Sequence, residues 1–222
     1  MVVKIKNYLF LISVSFGFVV HAENMDNKVS FRYGFIGKKP TNLDSLFIVE
    51  DASTLHSGDQ LRLNVDFEKG TFSYVIHHTS QNEYVLLYSS SSHIENDKNN
   101  AIFSSFNVDW STLDNNIGEE LFYLLSSKIR IILLEEHFKD YDQAKSKSKQ
   151  RIGKKIAREL NSFQNEEKDK KSSQLVQRLE KPVIGGVTYR GAVEELLIME
   201  QSLTHSASGS GRTIAVMKIN HE

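Results

Sequence analysis

From residue 60 to 66 apolar and polar side chains alternate strictly, with Leu61, Leu63 and Val65 on one side and Arg62, Asn64 and Asp66 on the other. A period of two predicts a half-buried strand over Gln60–Asp66. Glu68-Lys69-Gly70 predicts a turn, with glycine supplying the positive φ. Phe72, Tyr74 and Ile76 then alternate again, and Val75 adds β propensity. Ser80–Glu83 makes a second turn into Tyr84–Tyr88, apolar enough to lie inside a sheet. Together these read as two antiparallel turns joining three strands, that is, consecutive hairpins. Leu61, Leu63, Val65, Phe72, Tyr74, Ile76 and Leu86 are the expected core.

The same period is weaker at Phe31, Tyr33 and Phe35, which predicts a short edge strand punctuated by Gly34, Gly37 and Pro40. Leu46–Glu50 predicts a strand and Asp51–Ser57 a connection. A polar low-complexity loop, Ser89–Asn100, precedes strand-like Ala101–Trp110; a turn at Leu113–Gly118 leads to Glu120–Ser126. Beyond Ser127 the period changes. Ile129, Ile132, Leu133, Leu134, His137 and Phe138 suit a helix packed on the sheet. Ile152, Ile156, Leu160 and Phe163 recur at spacings of four, four and three, one stripe of a second helix, with Lys154, Lys155 and Arg158 off it. Leu175, Val176 and Leu179 mark a shorter stripe, and Pro182 with Gly185-Gly186 stops it. Ala192, Val193, Leu196, Leu197 and Leu203 predict a last amphipathic helix. His205–Gly211 reads as a flexible loop. Thr213–Asn220 reads as a final strand that returns to the main sheet, because an isolated strand leaves its backbone groups unpaired. The pattern predicts an α+β fold: an antiparallel β-sandwich-like domain with a helical insertion before the last strand. The β-rich part is 23–138 plus 212–222, and the charged helical insertion with its loop is 139–211.

The first residues add an address. Lys4 and Lys6, the uncharged run Tyr8–Val20 and the small-residue site Val20-His21-Ala22 read as a signal peptide over 1–22, cleaved before Glu23. The run is short for a bilayer span, which takes about 20 residues. A periplasmic or secreted bacterial protein is expected. The chain has no cysteine, which excludes disulfides, thiol catalysis, thiolate metal sites and a lipid-modified cysteine. A net charge of −1 at pH 7 gives no reason to expect nucleic acid, and no reading motif is present.

Ser57-Gly58-Asp59, then Leu61 and Leu63, then Tyr74, Val75 and Ile76, then Leu86, Leu87 and Tyr88, form a pattern that resembles DUF4384, a bacterial envelope-associated domain of unknown function. Gly118-Glu119 followed by Leu121, Phe122, Tyr123 and Ser126 is similar to that family's Gly-x-Glu turn and its aliphatic strand ending in serine. The likeness spans 46–127. Ser89 stands where the family usually has proline, and Asn82-Glu83 where it has glycine. The resemblance implies an exported β-rich domain, often attached to other modules, and implies no catalytic residue. Asp59 is expected to be a turn aspartate that accepts backbone N–H bonds.

Candidate chemistry changes this picture little. His77-His78 ends a strand, and strand neighbours point to opposite faces, so the pair does not easily chelate one metal. His56 and His93, from neighbouring loops, would complete a zinc site only if the fold gathers them with His77. No G-x-S-x-G elbow surrounds any serine. Gly209–Thr213 has the glycines of a phosphate loop without its lysine or helix. Glu119-Glu120 and Glu135-Glu136 are sequence neighbours, whereas glycosidase carboxyls face each other across a cleft about 5 to 9 Å wide. No catalytic, cofactor-binding or metal residue is assigned, and no cofactor is expected. The strongest charge feature is the basic run Lys147, Lys149, Arg151, Lys154, Lys155 and Arg158. It is the candidate interaction surface, for anionic lipid or an acidic partner, but the reading favoured for the run is a solvated helix face with its apolar stripe packed on the β domain. The expected function is a non-enzymatic protein-binding or scaffolding module of the bacterial cell envelope, partnered by an envelope protein. Its working surface is either the helical insertion or the sheet edge Leu46–Ser53. The alternative is a periplasmic hydrolase or metal-dependent enzyme using loop histidines and carboxylates; histidines gathered in one pocket would favour it.

Overall fold

The computed structural model describes residues 27–90, 103–107, 109–169, 177–178 and 202–222. The expected signal peptide, most of the polar loop, the apolar stripe at 175–179 and nearly all of the last amphipathic helix fall outside them. In chain order the strands are β1 (Lys28–Lys39), β2 (Asn42–Val49), β3 (Ser53–Leu55), β4 (Gln60–Glu68), β5 (Phe72–His78), β6 (Tyr84–Ser89), β7 (Phe103–Asn107), β8 (Ser111–Thr112) and β9 (Gly118–Ser127). The helices α1 (Ile132–Gln143) and α2 (Ser146–Asp169) follow, then β10 (Gln177–Arg178), β11 (His205–Ser210) and β12 (Arg212–His221).

One sheet runs β10-β11-β1-β4-β7, with β2 also on β1 and β8 also on β4; the other runs β3-β12-β9-β5-β6. Among the described residues every pairing is antiparallel except the short β3, which lies parallel to β12. The sheets pack face to face: Phe31 and Phe35 of β1 with Leu63, Val65 and Phe67 of β4 meet Val75, Phe122, Leu124, Met217 and Ile219. The outer face of the second sheet carries Tyr74, Ile76, Tyr123, Leu125 and Ile214. Leu134, Phe138 and Tyr141 of α1 and Ile152, Ile156, Leu160 and Phe163 of α2 cover it. The second sheet is thus buried on both faces, which is why Tyr74-Val75-Ile76 is apolar without a break. The α+β class, the antiparallel sheets and the helical insertion before the last strands are as the sequence predicts.

Several local expectations are corrected. β4 and β5 do not form a hairpin. The turn at Gly70, φ +74°, carries the chain from one sheet to the other, and β4 pairs with β1 instead. The second turn does close a hairpin, β5 with β6; Asn82 holds φ +61° there, a conformation asparagine tolerates. β1 is no edge strand: β4 takes one side and β11 and β2 share the other. Its glycines are points of close approach, not turns. A Cβ at Gly34 would stand 1.6 Å from the Ser202 carbonyl oxygen, and one at Gly37 would meet the Phe47 ring.

His205–Ser210 is a strand, not a flexible loop. Ala207 is fully buried, and a Cβ at Gly209 would lie 2.5 Å from the Arg212 carbonyl oxygen, so packing selects the small residues that lower β propensity. Gly211, φ +77°, then crosses to β12 in the other sheet. The connection Asp51–Ser57 contains β3. The helix expected from Ile129 to Phe138 is α1, Ile132–Gln143. On α1 only Leu134, Phe138 and Tyr141 are buried, while Ile129, Ile132 and Leu133 are exposed. α1 has no side-chain cap of its own. The buried Tyr74 hydroxyl accepts the Ile131 N–H at 3.2 Å and donates to Glu135 Oε1 at 2.7 Å, which fixes the helix start on the sheet.

Candidate functional site

At one end the two sheets splay and leave a cavity of about 310 Å³. Its apolar walls are Phe35, Leu61 and Leu63 from the first sheet and Leu87 and Phe122 from the second. The β5–β6 turn and the segment around β8 form its rim. His77 and Glu120 face into it. The His77 ring lies flat on Phe122, with ring centroids 4.3 Å apart, and its Nε2 donates to Glu120 Oε2 at 2.6 Å. Burial pushes the Glu120 carboxyl up, but bonds from His77 and Ser80 more than offset this and leave it below the usual glutamate range. It is therefore ionised at neutral pH inside a largely apolar chamber, which makes it a candidate for function.

Ser57 Oγ lies 3.1 Å from His221 Nε2, and the Nδ1 of that fully buried ring lies 4.0 Å from Glu120 Oε1. The order is that of a nucleophile, a base and an acid. Two features argue against hydrolytic chemistry. The Nδ1 separation is too long for a hydrogen bond. The amides flanking Ser57 are also committed: Ser57 N–H to Glu222 O, Gly58 N–H to Leu113 O and Asp59 N–H to His56 O. A reacting carbonyl above Ser57 would find no oxyanion donor among them. The first ties the turn to the residue after β12, the second ties it to the segment after β8, and the third closes the turn on itself, so together they clamp it in place. Asp59 completes the clamp as expected, accepting the His56 N–H at 2.9 Å and Lys39 Nζ at 2.5 Å. Burial pushes its carboxyl up, while these partners hold it below the usual aspartate range.

Of the candidate metal ligands, the described His56 and His77 do not converge. His56 is exposed and does not line the cavity that holds His77. His93 lies outside the described residues. His78 points to the other face, as predicted, and stacks on Tyr84. Among the described residues no group of three or more histidines and carboxylates is placed to hold a metal. The paired glutamates also part company: Glu119 faces outward to Lys218 and Glu120 inward, while Glu135 binds Tyr74 and Arg130 and Glu136 is exposed.

The basic run behaves differently. Lys147, Arg151, Lys154, Lys155 and Arg158 are exposed, and Lys149 is half-buried. Lys149 turns toward the sheet, 3.4 Å from Glu83 and over the Tyr141 ring. Among the described residues the other five make no ion pair. Several cations elsewhere are paired, among them Arg32 with Asp66, Lys39 with Asp59, Lys128 with Glu68, and Arg130 with Glu135.

Sequence reasoning missed the cavity and its His77–Glu120 pair. A signal existed. Glu120 is in phase with Phe122 and Leu124, and His77 with Val75, so each ionisable group sits at a core position of its strand. Compared with known proteins, the chain matches no family model, no curated protein and no solved structure.

Proposed function

We propose that this chain is a non-enzymatic binding module of the bacterial cell envelope that holds an acidic surface of an envelope protein on the outer face of α2. The observation that carries the reading is the division of α2 into two faces. Ile152, Ile156, Leu160 and Phe163 are buried on the sheet. Lys147, Arg151, Lys154 and Arg158 follow at spacings of four, three and four on the opposite face, with Lys155 beside them and no carboxylate between Lys147 and Arg158. An ordinary solvated face mixes its charges. A single-sign stripe on a rigid helix steers and orients an acidic partner. Lipid fits less well, because an interfacial helix needs its apolar face free for the bilayer and here that face is used. The secretory leader read from residues 1–22 and the motifs shared with the DUF4384 family support the compartment. The committed amides around Ser57 support the non-enzymatic reading.

The test is capture from envelope extracts by the immobilised mature chain, compared with K147Q/R151Q/K154Q/R158Q. We expect the wild type to retain a defined acidic protein, released as salt rises, and the neutralised variant, folded by circular dichroism, to retain none of it. Retention of the same protein at the same yield by both chains would refute the reading. Binding to phosphatidylglycerol vesicles with no protein retained would transfer the surface to lipid.

A further inference from the structure

We infer that the cavity between the sheets is a binding site for a small organic cation with an apolar body, an alkyl- or arylalkyl-ammonium. This stands apart from the basic face of α2 and succeeds or fails independently. The volume, about 310 Å³, is at the lower end of the roughly 300–1,000 Å³ typical of ligand sites. The chemistry of the lining selects the ligand. Phe35, Leu61, Leu63, Leu87 and Phe122 offer an apolar chamber to the ligand body. Among the described lining residues the full charges are carboxylates: Glu83 and Asp114 at the rim and the buried Glu120 inside, with no lysine or arginine among them. Bonds from Asn116 hold Asp114 below the usual aspartate range.

Glu83 is already paired with Lys149, so the carboxylate charge left for a ligand is that of Asp114 at the rim and Glu120 inside; an anion is repelled by both and an ammonium gains from both. The Phe35 ring, 5.0 Å from Phe122 and lining the same cavity, adds aromatic surface on which a cation is favoured. His77 also holds the Glu120 carboxylate in one orientation, so an incoming N–H donor finds a fixed acceptor. A buried carboxylate held by hydrogen bonds adds little to stability compared with apolar residues of the same volume. Its place on the wall of an open chamber is explained by a ligand that uses it.

The experiment is calorimetric titration of the folded mature chain with phenethylammonium and with 2-phenylethanol, the same body without the charge. We expect saturable binding of the amine with a Kd of about 1 mM or tighter, at least roughly five-fold tighter than the alcohol. Leu87→Trp, at a partly exposed wall position, should fill the chamber and abolish both. Glu120→Gln, whose amide oxygen still accepts from His77, should weaken the amine by about five-fold or more and leave the alcohol within about two-fold. Should Glu120→Gln fail to fold, the rim variant Glu83→Gln with Asp114→Asn should still weaken the amine by at least about two-fold. Absence of saturable amine binding, equal affinity for amine and alcohol, or amine binding unchanged by Leu87→Trp would each overturn the inference.

Discussion

Glu120 shows how much one side chain can carry in this fold. Its folded carboxyl lies below the ordinary value of 4.5. The stability it contributes is therefore present above that value and lost as the pH falls through the lower folded one. Urea midpoints should fall between about pH 5 and pH 3, and Glu120→Gln should shallow that fall without removing it, because Asp59 and Glu135 are depressed in the same direction. Tyr74→Phe should cost about 1–3 kcal/mol in urea unfolding, since the hydroxyl serves both Ile131 N–H and Glu135. Gly34→Ala should cost a similar amount, about 1–3 kcal/mol, by pushing Ser202 off β1 and straining its 2.6 Å bond to the buried Asn64; a lowered melting temperature checks it. At this scale the sequence is partly legible. Asp59 performs the turn role its type and place suggest. Gly34 and Gly37 are harder, because a glycine needed for close approach looks like one needed for a turn.

Among elements, α2 was the most readable. Its stripe at spacings of four, four and three is the face that meets the second sheet, since a long regular helix exposes its period plainly. Ile156→Ala and Leu160→Ala should each cost about 2–5 kcal/mol, whereas Lys154→Gln should change stability by no more than about 0.5 kcal/mol. Chemical denaturation of the three variants separates packing from surface charge. α1 is less legible: its apolar content suggests a broad buried face, but only the spacing Leu134, Phe138, Tyr141 reaches the sheet, and Ile132 remains 58% exposed. β11 poses the opposite difficulty. Its serines and its glycine carry no apolar signal, and tight packing against β1 and β12 explains why they are small.

For the whole molecule, the α+β class followed from periodicity, but the layering did not. Alternation on β4 and β5 is the same whether the turn between them closes a hairpin or crosses between sheets, so local pattern could not show that Gly70 and Gly211 are both crossings. Nor could it show that β5 and β9 are shared by two cores, one between the sheets and one under the helices. The same layering separates the two surfaces of interest. The cavity opens at the end of the sandwich, and the basic stripe lies on the far side of the helical layer, fixed there by the burial of the opposite face of α2. The most direct measurement is zero-length carbodiimide crosslinking of the mature chain to the protein it captures, with the joined residues mapped by mass spectrometry. The expected result is that the bonds to partner carboxylates start from Lys147, Lys154 and Lys155. Bonds that start from Lys38, Lys39 or Lys218 and spare α2 would contradict it.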